Sequence, residues 1–122
     1  MYKRVHHVSL EIKELGRARA FYENLLGLTV SPQRPDFDFE GVWYQIGDTQ
    51  LHLIVNDSAN VDTKPTLNSR SAHFAIRVTA IAELIERFEN QGIPYLNKPA
   101  SKTGWHQVFV QDPDGNIIEF NA

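Results

Sequence analysis

Apolar and polar residues alternate with a period of two along 5–12, "VHHVSLEI". This places Val8, Leu10 and Ile12 on one face of a strand with His6, and His7, Ser9 and Glu11 on the other. The period then lengthens. In "ELGRARAFYENLLGLTV" (14–30), Leu15, Ala18, Phe21, Tyr22, Leu25 and Leu26 recur at helical spacing, and Gly27 stands where a helix C-cap glycine belongs. Alternation returns in "GVWYQIGDTQLHLIV" (41–55), two arms around a Gly47-Asp48 turn, which predicts a hairpin. The stretch 57–71, rich in Asn, Asp, Ser and Thr, has no periodicity and reads as a surface connection.

After it the pattern restarts. "SAHFAIRV" (71–78) alternates, "AIAELIERFENQG" (80–92) is an amphipathic helix ending at glycine, and "WHQVFVQDPDGNIIEF" (105–120) is a hairpin turning at "DPDG". Laid on each other, "HVSLEI" falls over "HFAIRV", and "FYENLLG" over "RFENQG" with a one-residue gap. His7 then falls on His73 and His52 on Glu119, at offsets of 66 and 67 residues. The chain reads as two βαβββ modules, 1–56 and 72–122, joined by the connection 57–71 in a single domain. The fold class is α+β, with helices on the outer face of the sheet.

His7, His52, His73 and Glu119 each lie on the strand face that the apolar set does not use. Imidazole and carboxylate donors converging on the inner face of a sheet make a metal site in a cleft. They suit Zn, Ni, Co, Mn or Fe(II). His6 points to the packed face and His106 is out of register with the ligand positions, so both are read as structural. Phe21, Tyr22 and Phe88 are read as core. The same alternation turns Trp43, Gln45, Gln107 and Phe109 inward as a pocket part aromatic and part amide, with Arg77 the only basic residue clearly on that face.

Composition narrows the chemistry. The 122 residues include no cysteine, which excludes disulfides, thiolate metal sites and a cysteine nucleophile. Twelve Lys and Arg against fifteen Asp and Glu, with no basic stripe, argue against nucleic acid as a partner. No stretch approaches the roughly 18 apolar residues of a membrane span, and the expectation is a soluble, cytoplasmic protein without a membrane partner.

With "HHVSLEI", "RARAFYENLLGL", "GDTQLHLIV", "AHFAIRV" and "DPDGNIIEF" in place, the chain resembles the vicinal oxygen chelate superfamily over nearly its whole length. That superfamily includes glyoxalase I, bleomycin-resistance proteins, fosfomycin-resistance thiol transferases and extradiol dioxygenases. The resemblance implies a glyoxalase-like fold in which the two βαβββ modules form a cupped mixed sheet around one divalent metal, held by His7, His52, His73 and Glu119, and a small substrate bound through two neighbouring oxygens. It implies a glyoxalase-like lyase or isomerase, with Glu119 a ligand or a base and His52 a second catalytic group. Bacterial glyoxalase I enzymes usually have a glutamate where this chain has His52. An extradiol-type dioxygenase would use His7, His73 and Glu119 as a facial triad. A fosfomycin-type thiol transferase would add cations for a phosphonate, and a bleomycin-resistance-like protein would bind a drug without catalysis. The resemblance also implies a homodimer in which His7 and His52 of one chain share a metal with His73 and Glu119 of the other.

Overall fold

The computed structural model describes residues 1–58 and 63–122. Residues 59–62 of the expected connection lie outside the described residues. The chain divides into two units, Met1–Asn60 and Val61–Ala122.

The first unit runs β1 (His7–Ile12), α1 (Leu15–Arg19), a π-helical turn (Ala20–Leu25), β2 (Thr29–Val30), β3 (Gly41–Ile46) and β4 (Thr49–Val55). Its sheet has four strands in the order β1-β4-β3-β2, with β1 parallel to β4 and the other pairs antiparallel. The second unit runs β5 (His73–Arg77), α2 (Ile81–Asn90), β6 (Tyr95–Lys98), β7 (Gln107–Gln111) and β8 (Ile117–Asn121). Its four strands repeat that order as β5-β8-β7-β6, again with one parallel pair, β5 and β8.

In each unit the helix covers one face of the sheet. Tyr22 is fully buried with its ring 5.8 Å from that of Tyr44, among Val42, Leu51 and Leu53. Phe88 of α2 is likewise fully buried, with Phe120 and Tyr95 about it at 5.9 and 6.2 Å. Removing one such aromatic side chain from water contributes about 2 to 3 kcal/mol. The expected core residues Phe21, Tyr22 and Phe88 are all core.

The helices differ in one turn. Glu14 caps α1, its carboxylate accepting the N–H groups of Gly16 and Arg17, both at 2.9 Å. After Arg19 the backbone widens, and the amide of Leu26 donates to the Phe21 carbonyl five residues back, at 3.0 Å. The helical spacing predicts one helix up to Gly27, and the structure divides it into α1 and the π turn. The one-residue gap in the repeat is the cause of that turn. His73 follows His7 by 66 residues, but Gly92 follows Gly27 by only 65, and both glycines end their helices with positive φ, 66° and 72°. The extra residue of the first copy is absorbed in the wide turn. That turn also places Glu23 to accept from the Tyr44 hydroxyl at 2.9 Å and from Arg19 Nε at 2.6 Å. Hydrogen bonding to Arg19 holds the Glu23 carboxyl below the usual carboxylate range, while burial raises the Tyr44 phenol.

Candidate active site

The face of each sheet turned away from its helix carries the expected donors. In the first unit, strand pairing sets Ser9, His52 and Trp43 in one row across β1, β4 and β3, and His7, Gln50 and Gln45 in the next. Residues opposed across paired strands share a face, and diagonal neighbours are within reach of ring side chains. His52 is accordingly held between two rings. The Trp43 indole stacks on one side with centroids 3.7 Å apart, and His7 stacks on the other at 4.3 Å.

The tautomer of buried His52 follows from a chain of amides. The Gly47 carbonyl accepts from Gln45 Nε2 at 2.7 Å, which leaves Gln45 Oε1 to accept from Gln50 Nε2 at 3.2 Å. Gln50 Nε2 also donates to Gln33 Oε1 at 2.8 Å. The remaining Gln50 oxygen must therefore face His52, and His52 Nε2–H donates to it at 2.9 Å. Burial pushes the His52 imidazole down to about 4, and the neighbouring charges of His7 and His6 add to the effect. It is a neutral ring at pH 7.

His6 does not face the packed side. It precedes β1, is exposed, and its Nδ1 lies 2.9 Å from Nδ1 of His7. Strand alternation does not govern it because the strand begins one residue later. His106, read as structural, has its Nε2 2.5 Å from Asn97 Oδ1 and exchanges two backbone hydrogen bonds with Ala122.

The second unit repeats the geometry with other residues. Ala75, Glu119, Phe109 and Leu96 form one row across β5, β8, β7 and β6, and Arg77, Asn121, Gln107 and Lys98 form the next. His73 Nδ1–H donates to the Ser71 carbonyl at 2.7 Å, which leaves Nε2 as the acceptor nitrogen. That nitrogen lies 3.3 Å from Oε1 of buried Glu119, whose Oε2 accepts from Asn121 Nδ2 at 2.7 Å. Two acceptor atoms facing each other call for a proton or a cation between them. His73 and Glu119 thus suit a divalent cation.

His7 and His52 suit one less directly, because parallel rings send their in-plane lone pairs side by side and Gln50 occupies His52 Nε2. Among the described residues no three His, Cys, Asp or Glu side chains are gathered as a metal centre requires. The four expected donors occur as two pairs, one within each unit.

The expected pocket residues divide similarly. Trp43 and Gln45 share the open face with His52, and Gln107 shares it with Glu119. Phe109 is buried and sets its ring edge-on to His73, 5.4 Å between centroids, so it orients the imidazole more than it lines open space. Arg77 lies over the exposed ring of Trp105 at 4.9 Å. It is not the only cation on that face, since Lys98 opposes Gln107 in the same row.

Four further residues hold the donors in place: Gln33, Gln50, Ser71 and Asn121. Gln50 and Asn121 stand two residues from His52 and Glu119 on the same face, a spacing readable in the sequence. Ser71 stands two residues from His73 but acts through its backbone carbonyl, and the reach of Gln33 has no such signal.

The chain matches the family model described as Glyoxalase/Bleomycin resistance protein/Dioxygenase superfamily over residues 4–120. It is 30% identical over 122 residues to a lactoylglutathione lyase of Neisseria meningitidis serogroup A, covering 96% of this chain and 88% of that protein. A solved glyoxalase family protein from Bacillus anthracis superposes with a TM-score of 0.82 at 27% identity, over 99% of this chain and 95% of the other. A fosfomycin resistance protein from Listeria monocytogenes has the same fold, with a TM-score of 0.77 at 18% identity over 100% and 94% of the two chains. The α+β, glyoxalase-like fold expected from the repeat is the fold of this chain. Among the described residues no helix is long and apolar enough to cross a membrane.

Proposed function

We propose that this chain, which belongs to the Glyoxalase/Bleomycin resistance protein/Dioxygenase superfamily, is a metal-dependent enzyme of the glyoxalase type. Its reaction is that of a lyase or isomerase on a small substrate with two neighbouring oxygens. The observation that carries this reading is the His73–Glu119 pair. Ser71 and Asn121 fix the far atoms of both side chains, so Nε2 and Oε1 face one another at 3.3 Å with nothing but acceptor chemistry between them. The identity to lactoylglutathione lyases supports the same class.

In this reading His7, His52, His73 and Glu119 hold one divalent cation, with the two modules forming one domain. The bound cation supplies Lewis acidity to the two substrate oxygens. With Oε1 free of the cation, Glu119 takes a proton from the hydroxyl-bearing carbon and returns it to the adjacent carbonyl carbon, while the hydroxyl proton passes to the other oxygen, so that hydroxyl and carbonyl exchange places; Asn121 holds the second carboxylate oxygen. His52 ligates when Gln50 releases its Nε2. While Gln50 holds it, His52 is a neutral ring stacked between Trp43 and His7. Gln45, Gln107 and Arg77 line the polar part of the pocket, and Phe109 keeps the His73 ring in place.

Metal analysis of protein purified without chelator is expected to find about one first-row divalent ion per chain. A panel of hemithioacetal, catechol and fosfomycin is expected to give turnover with the hemithioacetal. Metal-free protein with no turnover on any of the three abandons the reading in favour of ligand sequestration.

The active form in this proposal is a homodimer that pairs His7 and His52 of one chain with His73 and Glu119 of the other. Mixing His7→Ala and His73→Ala proteins after reversible dissociation then restores roughly a quarter of wild-type activity, since each mixed dimer regains one intact donor set. Mixed dimers without activity place all four donors in one chain.

A further inference from the structure

A histidine that ligates through Nε2 must carry its proton on Nδ1, the tautomer that an imidazole side chain free in water disfavours. An acceptor placed at Nδ1 offsets that preference. In the second unit the acceptor is the Ser71 carbonyl, which takes the His73 Nδ1 proton at 2.7 Å and leaves Nε2 toward Glu119. His7 holds the matching place in the first copy, and the residue two before it, where Ser71 stands in the second, is Val5. The Val5 carbonyl accepts from the Thr49 hydroxyl at 3.0 Å. What stands at His7 Nδ1 is Nδ1 of His6, 2.9 Å away.

Two neutral imidazole nitrogens at that distance share one proton, donated by one ring and accepted by the other. The rings lie edge to face, 87° apart with centroids at 5.2 Å, so the contact is made through the nitrogens and not by stacking. Either direction of the bond leaves one ring in its less favoured tautomer, and the pair is evenly poised. A cation at His7 Nε2 selects the direction in which His7 Nδ1–H donates and His6, protonated on Nε2, accepts.

The backbone that carries His6 is held in place although its side chain is exposed. Its carbonyl accepts from the Gln50 amide at 3.0 Å, Val5 is tied to Thr49, and the Arg4 guanidinium donates to the Asp48 carbonyl. His6 is thus fixed to the start of β4, the strand that carries His52, before any ligand arrives.

We propose that His6 is a positioning residue: it accepts the Nδ1 proton of His7 and so presents His7 Nε2 to the cation, as the Ser71 carbonyl does for His73. The proposal rests on the reading of His7 as a ligand, but the tautomer of His7 is measurable without metal.

Long-range proton–nitrogen correlation spectra of the full chain at about pH 8, where an ordinary imidazole is neutral, read the tautomer of each ring. His6 and His7 are assigned by the signals lost in His6→Leu and His7→Ala. In metal-free wild type His7 is expected to be a mixture of both tautomers, and in His6→Leu its Nδ1–H share is expected to fall at least about twofold. His73 is expected to stay Nδ1–H in both proteins, which shows that the variant is folded. Zinc is expected to turn wild-type His7 wholly to Nδ1–H and His6 wholly to Nε2–H. Zinc affinity, from competition with a chromophoric chelator, is expected to fall about tenfold or more in His6→Leu. In His6→Asn, whose Oδ1 can accept in place of Nδ1, it is expected to stay within about threefold of wild type. Equal zinc affinity in His6→Leu and wild type overturns the proposal, as does a loss that His6→Asn fails to recover. Zinc-loaded wild type with the His7 proton on Nε2 also overturns it and leaves the metal reading standing. Wild type that takes up no zinc, but in which the His7 tautomer follows His6, supports the pairing and removes the reading of His7 as a ligand.

Discussion

The two units share topology and register yet present different chemistry on their open faces. Where the first has Trp43, His52 and Gln50, the second has Phe109, Glu119 and Ile117 at the corresponding strand positions. The first face is a flat stack of rings, His7 on His52 on Trp43, held by neutral amides. The second sets an imidazole nitrogen against a carboxylate with an aromatic edge behind it. The amide that holds the central group also changes sides. Gln50 stands two residues before His52 and accepts its proton, whereas Asn121 stands two residues after Glu119 and donates to it. One backbone plan thus supplies a stack of neutral rings and an imidazole–carboxylate pair for proton or metal chemistry. The difference lies in a handful of side chains.

Breaking the imidazole–carboxylate half has the largest expected effect. Glu119→Gln keeps the size of the side chain and one oxygen, and turnover is expected to fall by about two orders of magnitude or more, as for loss of a general base. Bound metal is expected to fall far less, and metal and turnover falling in parallel would make Glu119 a ligand only. His73→Ala is expected to remove most of the metal measured by elemental analysis. His106→Ala is expected to retain it, since His106 serves Asn97 and the strand end. Equal metal in the two variants would end the assignment of His73.

The neutral half has a different signature, in the pH dependence of stability of the metal-free protein. His52 titrates near 4 when folded and near 6.5 when unfolded, so between these values the unfolded chain binds more protons. Stability is therefore fully present above pH 6.5 and is lost as pH falls toward 4, by about 3 kcal/mol from this one ring. His52→Phe keeps a ring between Trp43 and His7 and removes the titration, so urea midpoints across this window should vary less with pH than in wild type. An unchanged slope would mean that His52 is not held neutral. The smallest effect concerns the support beneath that face. Tyr44→Phe deletes the hydroxyl that donates to Glu23 and is expected to cost about 1 kcal/mol in urea unfolding, with metal content unchanged.

Much of this was legible in the sequence. Alternation places Val42, Tyr44, Leu51 and Leu53 under the helix and His52 opposite them, because a strand can put a residue on only two sides. The same argument places His73 and Glu119 on the open face of the second sheet. It fails at His6, which lies ahead of the strand, and it says nothing of which ring nitrogen is bound, since the tautomer of His52 depends on amides brought from Gln33 and Gln45. Lys98 gives no such signal because β6 is four residues long and bounded by Pro94 and Pro99, too short for a period to declare itself. The π turn was visible only as a gap in the overlay, since apolar spacing alone does not distinguish a widened turn from an ordinary one.

That wide turn at Ala20–Leu25 works as an expansion joint. In a regular helix one additional residue would swing everything downstream through about 100° and carry the following strands out of line. Taken up in a single loop of backbone, it leaves β3 and β4 paired as β7 and β8 are, with His52 standing where Glu119 stands in the other copy. A duplicated gene can accordingly tolerate a codon gained in one half without forfeiting the alignment of the other. The two halves are free to diverge in length as well as in letters, provided the slack is confined to the helical side.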